Sequence, residues 1–265
     1  MINYYILFAL IQAATEFLPV SSSGHLLFFK GVFRTLDIPV FFDVIVHFGS
    51  VIAIIIFYRK RLTHICSECF KEASGKTREK RSLNFIFYIV ISTIVTGIIY
   101  FFAKDTVEYV FSSPSFLPVT YGFTTLLLLM TYIKPTNIRT VFDAPLYLPV
   151  IVGIFQGLAL FPGVSRSGAT IAILLFLGIA SSEAAFYSFT LAIPAIIGGT
   201  VIDAMDASSI QFFQTHMTEV FLGFTVSLIF SYLFLYLLDG FLKRGRFWYF
   251  SFYTAAMAVA ALLLF

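Results

Sequence analysis

The sequence predicts an all-α polytopic membrane protein, and three observations carry this prediction. The composition is strongly apolar: 59% of the 265 residues are hydrophobic and only 12% are charged, whereas soluble domains carry about 25% charged residues. Several apolar runs approach the roughly 20 residues that a helix needs to cross a bilayer. Two other apolar stretches are interrupted by short segments rich in serine and glycine, at 19–24 and 162–168. We therefore expect membrane-spanning helices together with two broken helices.

Six uninterrupted runs are expected to cross the membrane as helices. The first residues of the chain carry no lysine or arginine, and no small-residue cleavage site follows them. The N-terminal segment is therefore expected to belong to the fold and not to a removable signal peptide. The predicted spans are Val40–Tyr58, Leu83–Ala103, Phe116–Ile133, Ala184–Ile202, Val220–Leu238 and Phe247–Phe265.

The distribution of charge predicts the orientation of these spans. The connection Arg59–Arg81 holds eight basic residues and is expected in the cytoplasm, because cytoplasmic loops carry an excess of lysine and arginine. The basic residues at 243–246 assign the loop before the last span to the same side. The connections Asp203–Glu219 and Lys104–Ser115 hold more acids than bases, so both are expected outside.

The two interrupted stretches are predicted to be re-entrant helical hairpins. Counting crossings from the charged loops, Leu146–Gly178 enters and leaves on the cytoplasmic face, and Ile2–Val32 enters from outside. An offset of 144 residues aligns the two breaks, with the pattern V-S-x-S-G in both. We expect one membrane domain, 1–265, made of two inverted-topology repeats, about 1–133 and 146–265. Such repeats form polar sites at their interface.

The two breaks are predicted to form an anion site. Irregular backbone at membrane depth is tolerated only where it is buried in protein or lines a wet cavity. Each break leads into a helix whose first N–H groups and hydroxyls attract anions. Arg166 lies in the second break, and its planar guanidinium suits phosphate oxygens. The alternative role is a structural ion pair with Glu16, and both roles hold together if the pair forms only in the empty site.

Two pairs of polar residues lie four positions apart on predicted helices. Gln12 and Glu16 share one face of the first broken helix, and their oxygens suit Mg²⁺ or Ca²⁺ bridging to a phosphate. A buried structural amide is the alternative for Gln12. Asp43 and His47 form the second pair, for which a supporting role around the site, a proton path and simple packing all stay open.

Hydroxyl groups lie within the first break, and an imidazole follows it. Ser21, Ser22 and Ser23 offer a nucleophile, and His25 is close enough in sequence to act as a base on a serine or as an acid toward a leaving oxygen. A serine-rich turn with a structural histidine is the alternative. The coincidence of these residues with Glu16 and an intramembrane arginine favours the functional interpretation.

These motifs resemble those of a known family. The stretches E-F-L-P-V-S-S-S-G-H-L at 16–26 and P-G-V-S-R-S-G-A-T at 162–170 are similar to the two signature motifs of bacterial undecaprenyl-diphosphate phosphatases of the bacitracin-resistance type. The resemblance continues through F-D-V-I-V-H-F-G-S at 42–50 and E-A-A-F-Y-S-F-T-L-A-I-P at 183–194. It therefore covers nearly the whole chain.

The resemblance implies an activity and a set of roles. It implies removal of the terminal phosphate from undecaprenyl diphosphate in the bacterial plasma membrane, with a divalent metal, Mg²⁺ or Ca²⁺, and a site open to the outer face. It implies an essential carboxylate at Glu16, a nucleophilic or phosphate-binding serine at Ser22, a histidine at His25 and a phosphate-clamping arginine at Arg166. Further substrate contacts are expected from Ser21, Ser23, Gly24, Gly163, Ser165, Ser167 and Thr170. The family's acidic motif begins with Glu or Gln; here it is Gln12, which removes one metal-binding carboxylate.

A second class of function stays open at this point. Inverted repeats with paired hairpins are typical of transporters, so a lipid-phosphate flippase or transporter is the alternative to the phosphatase. The serine triplet with His25 favours hydrolysis, and a structural subunit without a ligand leaves Glu16 and Arg166 unexplained. The expected partners are the lipid substrate and membrane lipids, with no nucleic acid. The sequence does not distinguish a phosphoserine step from direct attack by water. It does not decide either whether the protein forms a homodimer.

Overall fold

The computed structural model of the chain describes residues 2–33, 40–133, 139–204 and 215–265. Within these ranges the regular structure is helical. Four of the described helices are long and apolar enough to cross a membrane, and several shorter apolar helices accompany them. The prediction of an all-α, multi-pass membrane protein is therefore confirmed.

Ten α-helices follow one another in the described part of the chain. They are α1 (Ile2–Phe17), α2 (Ser22–Phe33), α3 (Val40–Ala73), α4 (Arg81–Phe111), α5 (Leu117–Met130), α6 (Leu148–Leu158), α7 (Arg166–Phe176), α8 (Ser181–Ala204), α9 (Met217–Lys243) and α10 (Phe250–Leu264). The four long apolar helices are α3, α4, α9 and α10 with the 3₁₀ turn before it. Both predicted breaks are present, between α1 and α2 and between α6 and α7.

The two halves of the chain have the same order of helices, and helices of each half pack against the other half. Each half begins with a helix–loop–helix hairpin, α1–α2 or α6–α7, and continues with three further helices. The first helix of each hairpin packs against the other half: α1 packs on α9, and α6 packs on α4. α3 also packs on α8, and α5 packs on α10. The hairpin tips are therefore held between helices of both halves.

The long helices of the first half extend beyond the predicted spans. α3 continues to Ala73 through much of the segment Arg59–Arg81 that was expected to be a loop, and α4 continues to Phe111. The Glu72 carboxylate accepts hydrogen bonds from the N–H groups of Ser82 and Leu83, at 3.0 and 2.9 Å. It thereby satisfies amides that a helix start leaves without a backbone partner. The loop prediction was wrong because the lysine, arginine and glutamate of this segment are good helix formers.

The centre of the structure is the first half of α8. Every residue from Ala184 to Ala192 is buried, as expected for a helix that is covered on all sides. Its polar groups find partners there: the Tyr187 hydroxyl lies 2.8 Å from the Ser92 Oγ, and the Ser188 Oγ lies 2.6 Å from the Thr170 Oγ1 of α7. This core fixes the second hairpin in place.

Candidate functional site

The loops of the two hairpins meet tip to tip. A Cβ atom added to Gly24 would lie 2.7 Å from the Gly163 Cα and 2.7 Å from its nitrogen, a distance at which neither backbone has room to yield. Gly163 has a φ of +94° and Ser21 a φ of +67°, so both loops turn through the left-handed region. The contact therefore depends on glycine at both tips.

The serine hydroxyls cap the helices that leave the two loops. The Ser21 Oγ accepts hydrogen bonds from the Gly24 N–H at 3.2 Å and from the Gly163 N–H of the other hairpin at 3.1 Å. The Ser165 Oγ accepts from the Gly168 N–H at 3.0 Å. These are N-cap interactions of the kind that serine favours. Ser21 additionally ties one tip to the other.

The loop of the second hairpin is also held by α5. Thr124 donates its hydroxyl proton to the Gly163 carbonyl at 2.8 Å, and the same hydroxyl accepts from the Ser165 N–H at 3.1 Å. Thr124 was not predicted from the sequence, because a threonine inside an apolar helix has no local pattern that marks it. Its two bonds satisfy buried backbone groups that the helix break leaves open.

Glu16 and Arg166 form an ion pair between the two hairpins. The side chains are 8% and 17% exposed, respectively, so the pair is largely removed from solvent. The second carboxylate oxygen of Glu16 accepts from the Ser22 hydroxyl at 2.9 Å and from the Gln12 amide at 3.2 Å. The structure thus brings together an acid, a hydroxyl and an amide of the first hairpin and a guanidinium of the second.

A small polar pocket surrounds this cluster. It has a volume of about 190 Å³ and is lined by Glu16, Ser22, Ser23, Ser165 and Arg166, with Ala195 of α8 on one wall. The first hairpin contributes hydroxyl groups to it, and the second contributes the Ser165 hydroxyl and the Arg166 guanidinium. Such a pocket favours a ligand rich in acceptor oxygens and negative charge.

A larger, mainly apolar cavity adjoins the polar pocket. Its volume is about 740 Å³, within the range of ligand pockets. Its walls come mainly from α1, α2 and α3, with Phe111 at the end of α4, and they carry apolar side chains such as Leu7, Phe8 and Leu26. Ser22 and Ser23 line both this cavity and the polar pocket. The two spaces together therefore fit an amphiphile with an anionic head and a hydrocarbon tail.

Gln12, Asp43 and His47 form a polar wall between the Glu16 carboxylate and the apolar cavity. The His47 Nδ1 lies 3.7 Å from the Glu16 Oε2, and its Nε2 lies 3.0 Å from the Gln12 Nε2 and 3.6 Å from the Asp43 Oδ1. Asp43 and His47 therefore lie next to the predicted site, although their roles stay predictions.

The fit of this wall to a divalent metal rests on two oxygen-bearing side chains. The Gln12 Oε1 is buried and has no hydrogen-bond partner among the described residues, and the Glu16 carboxylate lies beside it. Oxygen ligands of this kind suit Mg²⁺ or Ca²⁺. Within the described ranges, no group of three histidine, cysteine, aspartate or glutamate side chains is placed to hold a metal. A metal here would take its remaining ligands from water or a substrate.

Both ring nitrogens of His25 lie within hydrogen-bond distance of groups other than the Ser22 hydroxyl. Its Nδ1 lies 2.7 Å from the Ser21 carbonyl oxygen and 3.1 Å from the Tyr121 hydroxyl, and its Nε2 lies 2.7 Å from the Tyr253 hydroxyl. The ring is 3% exposed and stacks on Tyr253. The expectation that His25 acts directly on a serine hydroxyl therefore finds no support in this geometry. The ring instead holds the left-handed turn at Ser21.

The remaining predicted contact residues divide into lining and supporting positions. Ser165 lines the polar pocket, whereas Ser167 and Thr170 are buried and are not among its lining residues. Thr170 donates its hydroxyl proton to the Arg166 carbonyl at 2.8 Å. The structure gives Ser167 and Thr170 a supporting position, and direct binding of substrate by them stays a prediction.

A family model and several curated proteins match this chain along almost its whole length. The family model described as Bacitracin resistance protein BacA matches residues 5–260. Undecaprenyl-diphosphatase 2 of Halalkalibacterium halodurans is 34% identical over 259 residues, which cover 96% of this chain and 92% of that protein. Undecaprenyl-diphosphatase of Methanosphaera stadtmanae is 33% identical, with 98% and 96% covered. Undecaprenyl-diphosphatase of Thermotoga maritima is 30% identical, with 97% and 98% covered.

Proposed function

The chain belongs to the Bacitracin resistance protein BacA family, and we propose from this that it is an undecaprenyl-diphosphate phosphatase. It hydrolyses the C55 isoprenoid diphosphate to the monophosphate carrier and inorganic phosphate. The observation that carries the proposal is the polar cluster of Glu16, Ser22 and Arg166 at the mouth of an apolar cavity. An isoprenoid diphosphate has this combination of a doubly phosphorylated head and a long hydrocarbon tail.

The substrate binds across the two adjoining spaces. The diphosphate occupies the polar pocket between the hairpin tips, and the first isoprene units lie in the apolar cavity along α1 and α2, while the rest of the tail stays in the lipid. Arg166 exchanges its contact with Glu16 for phosphate oxygens, which its planar fork can bind in pairs. Ser165 and Ser23 add hydroxyl donors from opposite walls.

The reaction is a phosphoryl transfer that needs positioning and neutralisation of charge. Either Ser22 attacks the terminal phosphorus, which releases the isoprenyl monophosphate and leaves a phosphoserine that water then hydrolyses to inorganic phosphate, or Ser22 orients a water that attacks this phosphorus directly. In both cases Glu16, which accepts the Ser22 hydrogen bond at 2.9 Å, is placed to receive the proton of the attacking group. Arg166 stabilises the negative charge of the transferred phosphoryl group. Glu16 and the Gln12 Oε1 would also hold a divalent cation, Mg²⁺ or Ca²⁺, which when bound neutralises the diphosphate oxygens.

We also propose a membrane arrangement for this site. Six helices span the bacterial plasma membrane and the two hairpins are re-entrant, so that the halves are inverted repeats and the site opens to the outer face. Two features support this: α1 and α6 pack reciprocally on α9 and α4, and Ser21 and Ser165 make the same cap three residues ahead of Gly24 and Gly168. Inverted repeats commonly bind their ligand at the interface of the halves.

The test is phosphate release from undecaprenyl or farnesyl diphosphate by the purified protein. We expect release by the wild type, loss of release on adding a chelator, and recovery with Mg²⁺ or Ca²⁺. Arg166→Ala and Glu16→Ala are expected to remove most of the activity, whereas Gln156→Ala, at the position of the second hairpin that corresponds to Gln12, is the matched control.

Two outcomes would redirect the proposal. Full activity in both Arg166→Ala and Glu16→Ala would show that the site lies elsewhere. Binding of the lipid without release by folded wild-type protein would favour the alternative, a lipid-phosphate flippase, for which the reciprocal packing of the two halves is the supporting observation.

A further inference from the structure

A second polar pocket lies at the C-terminal end of α9, apart from the site between the hairpins. It has a volume of about 330 Å³. Its charged lining residues are Asp239, Lys243, Arg244 and Arg246, and its apolar lining includes Leu237. The pocket therefore combines three cations and a single carboxylate with a hydrocarbon wall.

Two of the three cations in this pocket are not neutralised by any residue that the structure describes. Lys243 forms an ion pair with Asp239, which is the single acid of the lining. Within the described part of the chain, the guanidinium groups of Arg244 and Arg246 form neither an ion pair nor a hydrogen bond; Arg246 lies 5.8 Å from the centre of the Tyr249 ring. The pocket thus presents two guanidinium groups to a ligand.

The end of α9 does not need these guanidinium groups as caps. The backbone N–H groups of Arg244, Gly245 and Arg246 already bond the carbonyls of Gly240, Leu242 and Phe241, at 3.3, 3.0 and 2.9 Å. Gly245 has a φ of +65°, which is the usual way in which a helix closes on its own last carbonyls. A capping role therefore does not account for the two arginines.

An exposed apolar stripe on α9 leads into the pocket. Ile229, Leu233, Tyr236 and Leu237 are between 42% and 65% exposed, and their spacing puts them on one face of the helix. Tyr236 and Leu237 also line the pocket. In a membrane helix such a stripe faces lipid, so a lipid chain that lies along it ends at the two guanidinium groups.

We propose that this pocket binds the phosphate headgroup of an anionic phospholipid, with the acyl chains along the exposed stripe of α9. Arg244 and Arg246 contact the phosphate, because guanidinium forks match its oxygens and clusters of basic residues next to a membrane helix bind anionic headgroups. The stripe selects a lipid over free phosphate. This site is separate from the phosphatase site, since the two pockets share no lining residue.

The only tryptophan of the chain, Trp248, lies two residues after Arg246 and reports on this region. The protein is reconstituted in phosphatidylcholine vesicles, and Trp248 fluorescence is quenched with brominated phosphatidylglycerol or, separately, with brominated phosphatidylcholine. We expect the anionic lipid to be preferred about thirtyfold, at about fivefold for each of the two guanidinium groups at a membrane surface. Equal quenching by the two lipids would overturn the proposal.

Three variants make this test specific. Arg244→Gln with Arg246→Gln is expected to remove the preference while phosphatase activity, which also reports correct folding, is unchanged. Arg78→Gln with Lys80→Gln removes two positive charges from the connection between α3 and α4 and is expected to keep the preference. Asp239→Asn removes the carboxylate of the pocket and is expected to raise the preference.

The remaining outcomes contradict the proposal. A preference that survives in Arg244→Gln/Arg246→Gln, or one that is lost equally in Arg78→Gln/Lys80→Gln, would show a general charge effect and no site. Competition separates the two lipid sources of phosphate. If farnesyl phosphate relieves the quenching at lower concentration than unlabelled phosphatidylglycerol does, the pocket is a site for isoprenyl phosphate and the phospholipid assignment is wrong.

Discussion

The two hairpins share a backbone frame and differ in the chemistry they carry. In both, a serine caps the second helix through the N–H of a glycine three residues later. Yet Glu16 of the first hairpin corresponds to Leu160 of the second, and Ser22 corresponds to Arg166. The first hairpin thus supplies the acid and the hydroxyl, and the second supplies the guanidinium. Two hairpins with the same capping geometry therefore form one asymmetric cluster, because each of them carries a different part of the reactive groups that we propose.

The hairpins also differ in what covers them. Ser22 and Ser23 are partly exposed and face the two cavities. Ser165, Ser167 and Thr170 are buried, and Thr170 contacts the centre of the molecule through Ser188. The first hairpin therefore offers the more accessible hydroxyl groups to the polar pocket, and the second is a buried support from which Arg166 projects into it.

The largest loss of activity is expected from changing the charged groups in which the two hairpins differ. Arg166→Lys keeps the charge but loses the planar fork, and Glu16→Gln loses the acceptor charge. We expect kcat to fall about 10³-fold in each, the upper end for loss of one transition-state contact. Phosphate release at saturating farnesyl diphosphate measures it. Leu160→Gln, at the counterpart of Glu16, should retain activity; a loss of the same size there would remove the distinction between the hairpins.

A smaller loss of activity is expected from the hydroxyl groups of the first hairpin. Ser22→Ala removes the hydroxyl that bonds Glu16 at 2.9 Å and is expected to lower kcat about 10²-fold, as for loss of a group engaged in proton transfer. Thr170→Ala in the second hairpin is expected to lower thermal stability and leave kcat nearly unchanged. If Thr170→Ala instead lowered kcat as much as Ser22→Ala, both hairpins would contact the substrate equally.

The two hairpins are expected to differ in how well each tolerates a methyl group in place of a glycine hydrogen. Gly24→Ala forces a Cβ to 2.7 Å from the Gly163 backbone, whereas a Cβ on Gly168 meets the Ser165 Cβ at 3.0 Å and Pro19 at 3.3 Å. We expect Gly24→Ala to cost about 2–3 kcal/mol, as for overpacking of a tight core, and Gly168→Ala about half of that. Thermal unfolding in detergent compares the two. Equal costs would mean that the tips do not touch as described.

The smallest effect is expected from the support of His25. Tyr253→Phe removes the hydroxyl that lies 2.7 Å from the His25 Nε2 and is expected to cost about 1 kcal/mol of unfolding free energy. We also expect His25→Gln to leave the shape of the pH–kcat profile unchanged, because His25 acts through the Ser21 turn. A His25→Gln profile that loses one limb would show that His25 takes part in proton transfer.

The sequence predicted the features that depend on local composition. The apolar runs predicted a membrane protein, and the two V-S-x-S-G breaks predicted the loops that join Glu16 to Arg166. The prediction of a loop over Arg59–Arg81 was wrong for much of that segment, because hydropathy marks only the apolar part of α3 and does not show how far the helix continues beyond it. Metal binding by Gln12 and Glu16 stays a prediction.

The contacts that the sequence did not predict come from distant segments. Tyr121 and Tyr253 approach His25 from α5 and α10, and Thr124 holds the Gly163 loop. None of these residues belongs to either of the two hairpin motifs, since all three lie on α5 or α10, far from the breaks in the sequence. Their position follows only from how the two halves pack. Sequence proximity alone had suggested that His25 acts on a serine, and the packing gave its ring other partners.

The central claim is that Glu16 and Arg166, from opposite halves of the chain, act on one diphosphate. A double-mutant cycle on kcat/KM with Glu16→Gln, Arg166→Gln and the double variant tests it, since residues that act as a unit give strongly non-additive effects. We predict that kcat/KM of the double variant is at most about threefold lower than that of the less active single variant. A double variant whose loss equals the product of the two single losses would contradict the claim.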